Sequence, residues 1–234
     1  MKDERVKIMP KSISIAIDGP AGAGKSTIAK RLAKELGFYY VDTGAIYRTV
    51  AYFMDLLGVS PKDADGVQRY IDELTIDIYY DENGLQHMLM NGMDVTDDIR
   101  TPDISQKASL VSAHAVVREM LLDMQRDVAK ENNVIMDGRD IGTVVLPKAD
   151  VKIFLTASAE VRAQRRLAEL QAKGSKETYE KVLKDLKQRD YQDSHRAIAP
   201  LKQARDAIKV DTSELDIDGV VAAIRQIVAD KVGV

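Results

Sequence analysis

Residues 12–26 read SISIAIDGPAGAGKS, and their pattern is the strongest indication of the fold class. Its first half is a short apolar run of the kind that forms a buried β-strand. Residues 19–26 match the pattern GxxxxGK[ST] in full, and STIAKRLAKELG then has apolar residues at helical spacing before a closing glycine. A strand, a glycine-rich turn and a helix in this order predict a loop whose backbone N–H groups and helix N-terminus surround a phosphate.

The residue types in this loop follow from phosphate chemistry. Glycines let backbone N–H groups approach an anion without an obstructing Cβ atom. Lys25 is expected to reach the β- and γ-phosphates of a nucleoside triphosphate, and the Ser26 hydroxyl is expected to be a Mg²⁺ ligand. The predicted triphosphate-binding residues of the loop are Gly19, Pro20, Ala21, Gly22, Ala23, Gly24, Lys25, Ser26 and Thr27. The motif does not say where the γ-phosphate goes.

The chain continues with alternating strand and helix patterns. Further strands are predicted at FYYVD (38–42), NVIMDGRD (133–140), VKIFLT (151–156) and AIKVDT (207–212). Helices are predicted at 45–58, from about 104 to 130, and at 217–232. This alternation predicts an α/β fold with a parallel sheet and helices on both faces.

Two segments depart from the alternation. Residues 64–105 contain two strand-like runs around Asn83-Gly84, which favours a β-hairpin and therefore a small antiparallel insertion. Residues 158–193 form two charged helical stretches around Gly174, and their low apolar content predicts an exposed, movable hairpin. The predicted core then consists of residues 12–63, 106–157 and 194–234, and residues 1–11 are predicted to be a flexible extension.

Composition excludes several classes of function. A net charge of −3 argues against nucleic-acid or membrane binding, and the absence of cysteine excludes disulfides, thiolate zinc sites and cysteine nucleophiles. His87, His114 and His195 lack metal-ligand spacing, so surface or packing roles are expected. No signal-peptide pattern or apolar run of membrane length is present. We expect a cytoplasmic monomer without an obligate protein partner.

Arginines indicate what receives the phosphate. Arg48 follows the second predicted strand and Arg139 ends a later one, and the carboxyl ends of parallel strands meet at one crevice. Guanidinium groups bind phosphate oxygens in pairs. No general base stands out near the loop, and a phosphate acceptor needs none because its oxygens are already ionised. The pattern therefore predicts a kinase that phosphorylates a phosphate group.

At this point the sequence resembles a known family. DGPAGAGKST, DTGAIYR, IRTPDISQKAS, DGRDIGTVVLP and RDYQDSHRAIAPL are similar, in order and spacing, to bacterial cytidylate kinases, and the likeness covers residues 12–230. It implies a P-loop kinase core with a nucleoside-monophosphate-binding insertion (64–105) and a lid (158–193). The implied reaction transfers phosphate from ATP to CMP, with dCMP as a second acceptor and Mg²⁺ as cofactor.

The resemblance also implies roles for particular residues. Arg48, Arg139 and Arg196 would hold phosphates and, with Lys25, form the catalytic set. The implied CMP site is completed by Thr43, by Ser109, Arg118 and Asp140 at the base, and by Arg189 and Asp193 at the sugar. Arg162, Arg165 and Arg166 would belong to the lid over ATP, and Asp137 is a candidate for an outer contact to magnesium.

Alternatives remain at this stage. Ser109 could be a helix-surface serine, Asp140 could simply orient Arg139, and the arginines of the charged stretch could form a solvated face. The first rival function is a kinase of the same fold that acts on another monophosphate or small metabolite. The second is a nucleotide-sensing module or regulatory ATPase that would hydrolyse ATP without an acceptor.

Overall fold

The computed structural model describes residues 12–172 and 174–234, so the predicted extension 1–11 lies outside the described residues. The strands are β1 Ser14–Asp18, β2 Tyr39–Asp42, β3 Ile76–Tyr80, β4 Gln86–Met90, β5 Met93–Asp94, β6 Val134–Gly138, β7 Val151–Thr156 and β8 Ile208–Asp211. The main sheet has the order β2-β6-β1-β7-β8, and every pairing in it is parallel. The α/β prediction is confirmed.

Helices cover both faces of this sheet. They are α1 Lys25–Leu36, α2 Thr43–Leu56, α3 Ala64–Tyr70, α4 Pro102–Val111, α5 Ala115–Glu131, α6 Ala159–Ala172, α7 Tyr179–His195 and α8 Ile217–Val232. Ile15 and Ile17 of β1 point to one face, where they pack with α1 and α8. Ala16 points to the other, where it packs with β6 and α5. This alternation is the period-2 pattern of a strand buried on both faces.

The insertion forms its own small sheet, as the Asn83-Gly84 signal predicted. Strands β3, β4 and β5 pair antiparallel in that order, and their apolar side packs against α2 and α4. Hydrogen bonds of Gln86 and Tyr80 join this sheet to β2. The Gln86 Oε1 atom accepts the backbone N–H of Asp42 at 2.7 Å, and the Tyr80 hydroxyl donates to the Tyr40 carbonyl at 3.1 Å.

The charged stretch 158–193 folds as the helical hairpin α6–α7. It is less exposed than its composition suggests, because Ala163, Val182 and Leu186 are buried together with Ala21 of the glycine-rich loop. Helix α7 runs through residues 193 and 194, and α4 runs through residues 105 and 106. Two of the predicted segment boundaries therefore fall inside helices, and the division into core, insertion and lid stays a prediction.

The long predicted helical region 104–130 is in fact two helices. Residues 112–114 separate α4 from α5, and the Ser112 hydroxyl at this break donates to the carbonyl of Ser109. Within the described residues, no helix combines the length and the apolar character needed to cross a membrane.

Candidate active site

A cavity of about 920 Å³ opens at the carboxyl edge of the main sheet. The glycine-rich loop after β1, the start of α2 after β2, and the residues after β6 all border it. Helix α4 and the hairpin α6–α7 supply the opposite walls. This is the crevice in which open parallel sheets bind ligands.

The glycine-rich loop has the backbone that its sequence predicts. A Cβ atom on Gly19 would lie 1.9 Å from the Leu155 carbonyl oxygen, so only glycine fits there. Gly24 has a φ angle of 87° and ends the loop where α1 begins, with Lys25 as its first residue. The N–H groups of the first helical turn lack partners within the helix and are available to an anion.

Lys25 lies buried at the floor of the cavity. Its Nζ atom donates to the Pro20 carbonyl at 2.8 Å. Burial, followed by the positive charge of Arg139, lowers the pKa of Lys25 to about 7. A negatively charged ligand in the loop would offset both effects and favour the charged ammonium.

Ser26 and Asp137 meet beside the loop. The Ser26 hydroxyl donates to Asp137 Oδ2 at 2.9 Å, and the Tyr40 hydroxyl donates to Asp137 Oδ1 at 2.8 Å. Burial, with the nearby charge of Asp42, raises the pKa of Asp137. The Thr43 hydroxyl donates to the Asp137 carbonyl at 2.7 Å, which joins the start of α2 to the end of β6.

Arg48 is held at the start of α2 by the residue that caps this helix. Asp42 Oδ1 accepts the backbone N–H of Ala45 at 2.9 Å, and Asp42 Oδ2 accepts from Arg48 Nη2 at 2.9 Å. The remaining Nε donor of Arg48 is buried, and the described residues offer it no hydrogen-bond partner. A buried N–H without a partner is costly, so this donor is suited to a ligand acceptor.

Arg189, on α7, has the same property. Its Nε atom is buried and finds no acceptor among the described residues. Burial and the charge of Arg139 lower the pKa of Arg189 to about 10. Arg48 and Arg189 both line the cavity with a donor left over, so the two guanidinium groups could bind an anion apart from the glycine-rich loop.

Ser109 and Arg139 converge on Asp193. Ser109 Oγ donates to Asp193 Oδ1 at 2.8 Å, and Arg139 Nε donates to Asp193 Oδ2 at 2.8 Å. The Ser109 side chain is buried, so the interpretation of it as a helix-surface serine is wrong. Helix α4, the end of β6 and helix α7 thus meet at a single carboxylate.

Asp140 is the centre of a second charged group. It accepts hydrogen bonds from Arg118 Nη2 and, at 3.1 Å, from Arg196 Nη2. Arg139 is paired with Asp193 instead, so the interpretation of Asp140 as the group that orients Arg139 is wrong. Burial raises the pKa of Asp140, although both guanidinium groups oppose this effect.

The arginines of α6 do not act as one set. Arg162 is buried and donates to the Ala157 and Ala21 carbonyls at 3.0 and 2.8 Å, and it pairs with Asp190 at 2.7 Å. A solvated face is therefore the wrong interpretation for Arg162, which anchors α6 and α7 to the glycine-rich loop. Arg165 and Arg166 line the cavity, where Arg165 donates to Thr212 and Arg166 pairs with Glu169.

Sequence reasoning missed three residues that shape the site. Asp18 is buried at the end of β1, and its carboxylate accepts the backbone N–H groups of residues 141 and 142. Burial raises the pKa of Asp18 to about 6. Tyr40 holds Asp137, and Gln86 holds the backbone of Asp42. Of the three, only Asp18 could have been found from the sequence, because it is a charged residue at the end of an otherwise apolar strand.

The three histidines lie apart from this site, as expected. His87 contacts Asp94, His114 contacts the Pro61 carbonyl, and His195 stacks on Tyr191. Within the described part of the chain, no three His, Asp or Glu side chains cluster closely enough to hold a metal ion.

A parallel sheet, a triphosphate loop and a facing arginine site on one cavity define a P-loop phosphotransferase. The family model described as cytidylate kinase matches residues 15–230. A cytidylate kinase of Exiguobacterium sp. is 47% identical over 222 residues, covering 95% of this chain and 99% of that protein. One of Carboxydothermus hydrogenoformans is 50% identical over 217 residues, covering 93% and 97%. The chain belongs to the cytidylate kinase family.

Proposed function

We propose that this protein transfers the γ-phosphate of ATP to CMP, giving ADP and CDP, with dCMP as a second acceptor. The observation that carries the proposal is the pair of arginines, Arg48 and Arg189, that line the same cavity as Lys25 with unpaired buried donors. Membership of the cytidylate kinase family supports the choice of acceptor.

The glycine-rich loop would hold ATP through its backbone N–H groups and Lys25. Lys25 Nζ would exchange its bond to the Pro20 carbonyl for phosphate oxygens. Arg165 and Arg166 line the cavity and would exchange their contacts with Thr212 and Glu169 for ATP phosphates. Arg162 would contribute indirectly, since its guanidinium supports the loop at Ala21.

The acceptor phosphate would be bound by Arg48, Arg139 and Arg189. Its oxygens are ionised at neutral pH, so the attacking atom needs no general base. The arginines would hold this anion in line with the γ-phosphate and neutralise the charge that builds up between them. Arg48 is paired with Asp42 and Arg139 with Asp193, which supports a geometry that is set before substrate arrives.

The base and sugar would be bound by the two carboxylate groups. Cytosine carries an exocyclic amine that donates a hydrogen bond, and a carboxylate such as Asp140 accepts one. Arg118 and Ser109 offer donors to the ring nitrogen and carbonyl. Arg196, which pairs with Asp140, would also contact a phosphate, and Asp193 would meet the sugar hydroxyls. The resemblance implied the sugar for Arg189 as well, but we assign it to the acceptor phosphate because its buried Nε atom has no partner among the described residues.

Mg²⁺ fits the residues beside the loop. A hydroxyl and a carboxylate are oxygen donors, and this ion is usually held by one or two such groups together with substrate phosphates and water. Ser26 would bind it directly and Asp137, which already accepts the Ser26 hydroxyl, would contact it through water. When bound, the ion would neutralise negative charge on the phosphates.

All the residues assigned to the two substrates belong to one chain, which supports a monomer as the working unit. We further propose that the insertion and the hairpin α6–α7 close over the substrates and exclude water, so that ATP is not hydrolysed.

The test is an assay of ADP formation with ATP and Mg²⁺ against CMP, dCMP, UMP, AMP and GMP. ADP formed chiefly with CMP and dCMP is the expected result. A no-acceptor control tests the rival function, because equal ADP formation without any acceptor would identify a regulatory ATPase and overturn the proposal. A preference for a purine monophosphate would overturn CMP as the acceptor, together with the base contacts assigned to it, and would favour the first rival function.

A further inference from the structure

Asp18 lies between the triphosphate loop and the turn that carries Asp140. It is the last residue of β1, it is 3% exposed, and Gly19 of the loop follows it directly. Asp18 Oδ1 accepts the N–H of Ile141 at 2.8 Å, and Asp18 Oδ2 accepts the N–H of Gly142 at 2.7 Å. Both carboxylate oxygens are thus used on two consecutive backbone groups.

These two N–H groups belong to an unusual turn. Residues Ile141–Val145 form a π-helical turn, in which the N–H of Val145 bonds to the Asp140 carbonyl at 3.2 Å. The N–H groups that open a helical turn have no partner within it. The acidic side chain of Asp18 satisfies them and complements the positive end of the turn.

The other end of the turn is held as well. Arg126 of α5 donates to the carbonyls of Val144 and Val145, each at 3.0 Å. A π-helical turn is rare and usually marks a functional position. Charged side chains thus hold both ends of the turn. The orientation of Asp140, the residue just before the turn, is therefore set by Asp18 and Arg126 as well as by strand β6.

We propose that Asp18 is a positioning residue for recognition of the acceptor base. Through the backbone of Ile141 and Gly142 it holds the turn that places the Asp140 carboxylate between Arg118 and Arg196. This inference rests on the proposed function, because it assumes that Asp140 contacts the base of the acceptor. Asp18 itself is not among the residues that line the cavity.

The charged groups around Asp18 are consistent with this role. Lys25 on α1 and Asp140 on the turn act on it with opposite signs. On β7, the stem of Lys152 lies near Gly142, while its ammonium bonds to the Pro147 carbonyl and to Asp206. None of these groups gives Asp18 an ion pair, so the backbone of the turn is its main partner.

The test compares Asp18→Asn with the parent protein. An amide can accept only one of the two N–H bonds and directs its own NH₂ group at the other, so the turn should move. We expect the KM for CMP to rise about tenfold or more. The CMP-over-UMP ratio of kcat/KM should fall by a similar factor, while the KM for ATP changes about twofold at most.

Asp150→Asn is the matched control. Asp150 sits at the opposite end of β1, where its Oδ2 atom accepts the Ser14 N–H at 2.9 Å. The Asp150→Asn variant therefore loses a similar carboxylate contact far from Asp140. We expect it to leave the CMP-over-UMP ratio of kcat/KM unchanged. A loss of ratio in this control as well would show that general destabilisation, and not positioning, causes the effect.

A second variant covers the case in which Asp18→Asn does not fold. A Cβ atom at Gly142 would lie 3.3 Å from Asp18 Oδ2 and 3.1 Å from the Lys152 side chain, so Gly142→Ala displaces the turn while retaining the carboxylate. The Gly142→Ala variant should also lower the CMP-over-UMP ratio of kcat/KM. An unchanged ratio in the folded variants would overturn the inference, whereas a parent protein that does not phosphorylate CMP would overturn the proposed function instead.

Discussion

Lys25 is a buried amine close to other cationic side chains, and under the proposed function its charge binds the phosphates of ATP. We expect Lys25→Met to lower kcat at least about a hundredfold, because the variant loses the charge that faces the developing negative charge on the phosphates. Measurement of ADP formation with CMP as acceptor tests this. The control is Lys34→Met, an exposed position on the same helix, which should keep full activity.

The fold of the Lys25→Met variant should be intact at pH 7. The folded-state pKa of Lys25, about 7, lies below its ordinary value of 10.5, so the folded protein loses stability as pH falls through this interval. Replacing the amine with the uncharged side chain of methionine removes this cost to the stability of the folded protein. Urea unfolding that shows a large loss of stability, together with lost activity, would contradict a role confined to ATP.

For single residues, candidate site residues could be predicted from the sequence where their neighbours along the chain indicate the role. Lys25 and Ser26 are identified by their spacing after a buried strand, and Arg139 by its place at a strand end. The roles of Asp18 and Arg162 were not predictable in this way. Each depends on a backbone group far along the chain, at Gly142 for Asp18 and at Ala21 for Arg162.

At the scale of elements, one carboxylate both begins helix α2 and holds Arg48. Asp42→Ala removes the helix cap and the arginine contact together. We expect the free energy of unfolding to fall by about 1 kcal/mol, as for other lost caps. The KM for CMP should also rise, about tenfold, because Arg48 loses the partner that fixes its guanidinium group.

Asp63→Ala separates these two effects. Asp63 caps the short helix α3 by accepting the N–H of Gly66 at 3.0 Å, and it is not part of the cavity lining. This variant should lose similar stability in a denaturant titration and keep the parent KM for CMP. If Asp42→Ala behaves in the same way as Asp63→Ala, Arg48 is positioned by other contacts.

Element boundaries were predicted least well where packing decides them. The glycine at 84 and the strand patterns around it predicted the β3–β4 hairpin, but not the contact of Gln86 with Asp42 that joins it to the core. Similarly, the charge of α6 and α7 suggested solvent exposure. Their few apolar residues share one side, and Ala21 completes that cluster from outside the hairpin.

At the scale of the whole molecule, an excess of negative charge coexists with a cavity lined by arginines. The net charge of the chain is −3, yet seven arginines line the cavity, and some of them pair with carboxylates of the same lining, such as Asp42, Asp140 and Asp193. We expect CMP at about a hundred times its dissociation constant to raise the thermal midpoint by about 5–10 °C. Differential scanning fluorimetry measures this shift.

Cytidine is the control ligand, since it has the same base and sugar without the phosphate. At the same concentration it should raise the midpoint much less, because the arginine donors stay unpaired. Equal shifts from cytidine and CMP would show that the base dominates binding and that Arg48 and Arg189 do not hold the acceptor phosphate.

The order of strands in the main sheet has a consequence for synthesis of the chain. Strand β1 carries the glycine-rich loop, and its two ladder partners are β6, at residues 134–138, and β7, at residues 151–156. While a ribosome is still making the first half of the protein, β1 has neither neighbour, and long-range pairing of this kind is slow. We therefore expect a nascent chain to complete the sheet around the glycine-rich loop only after β6 and β7, and with them the proposed acceptor-binding residues up to Asp140, have been translated.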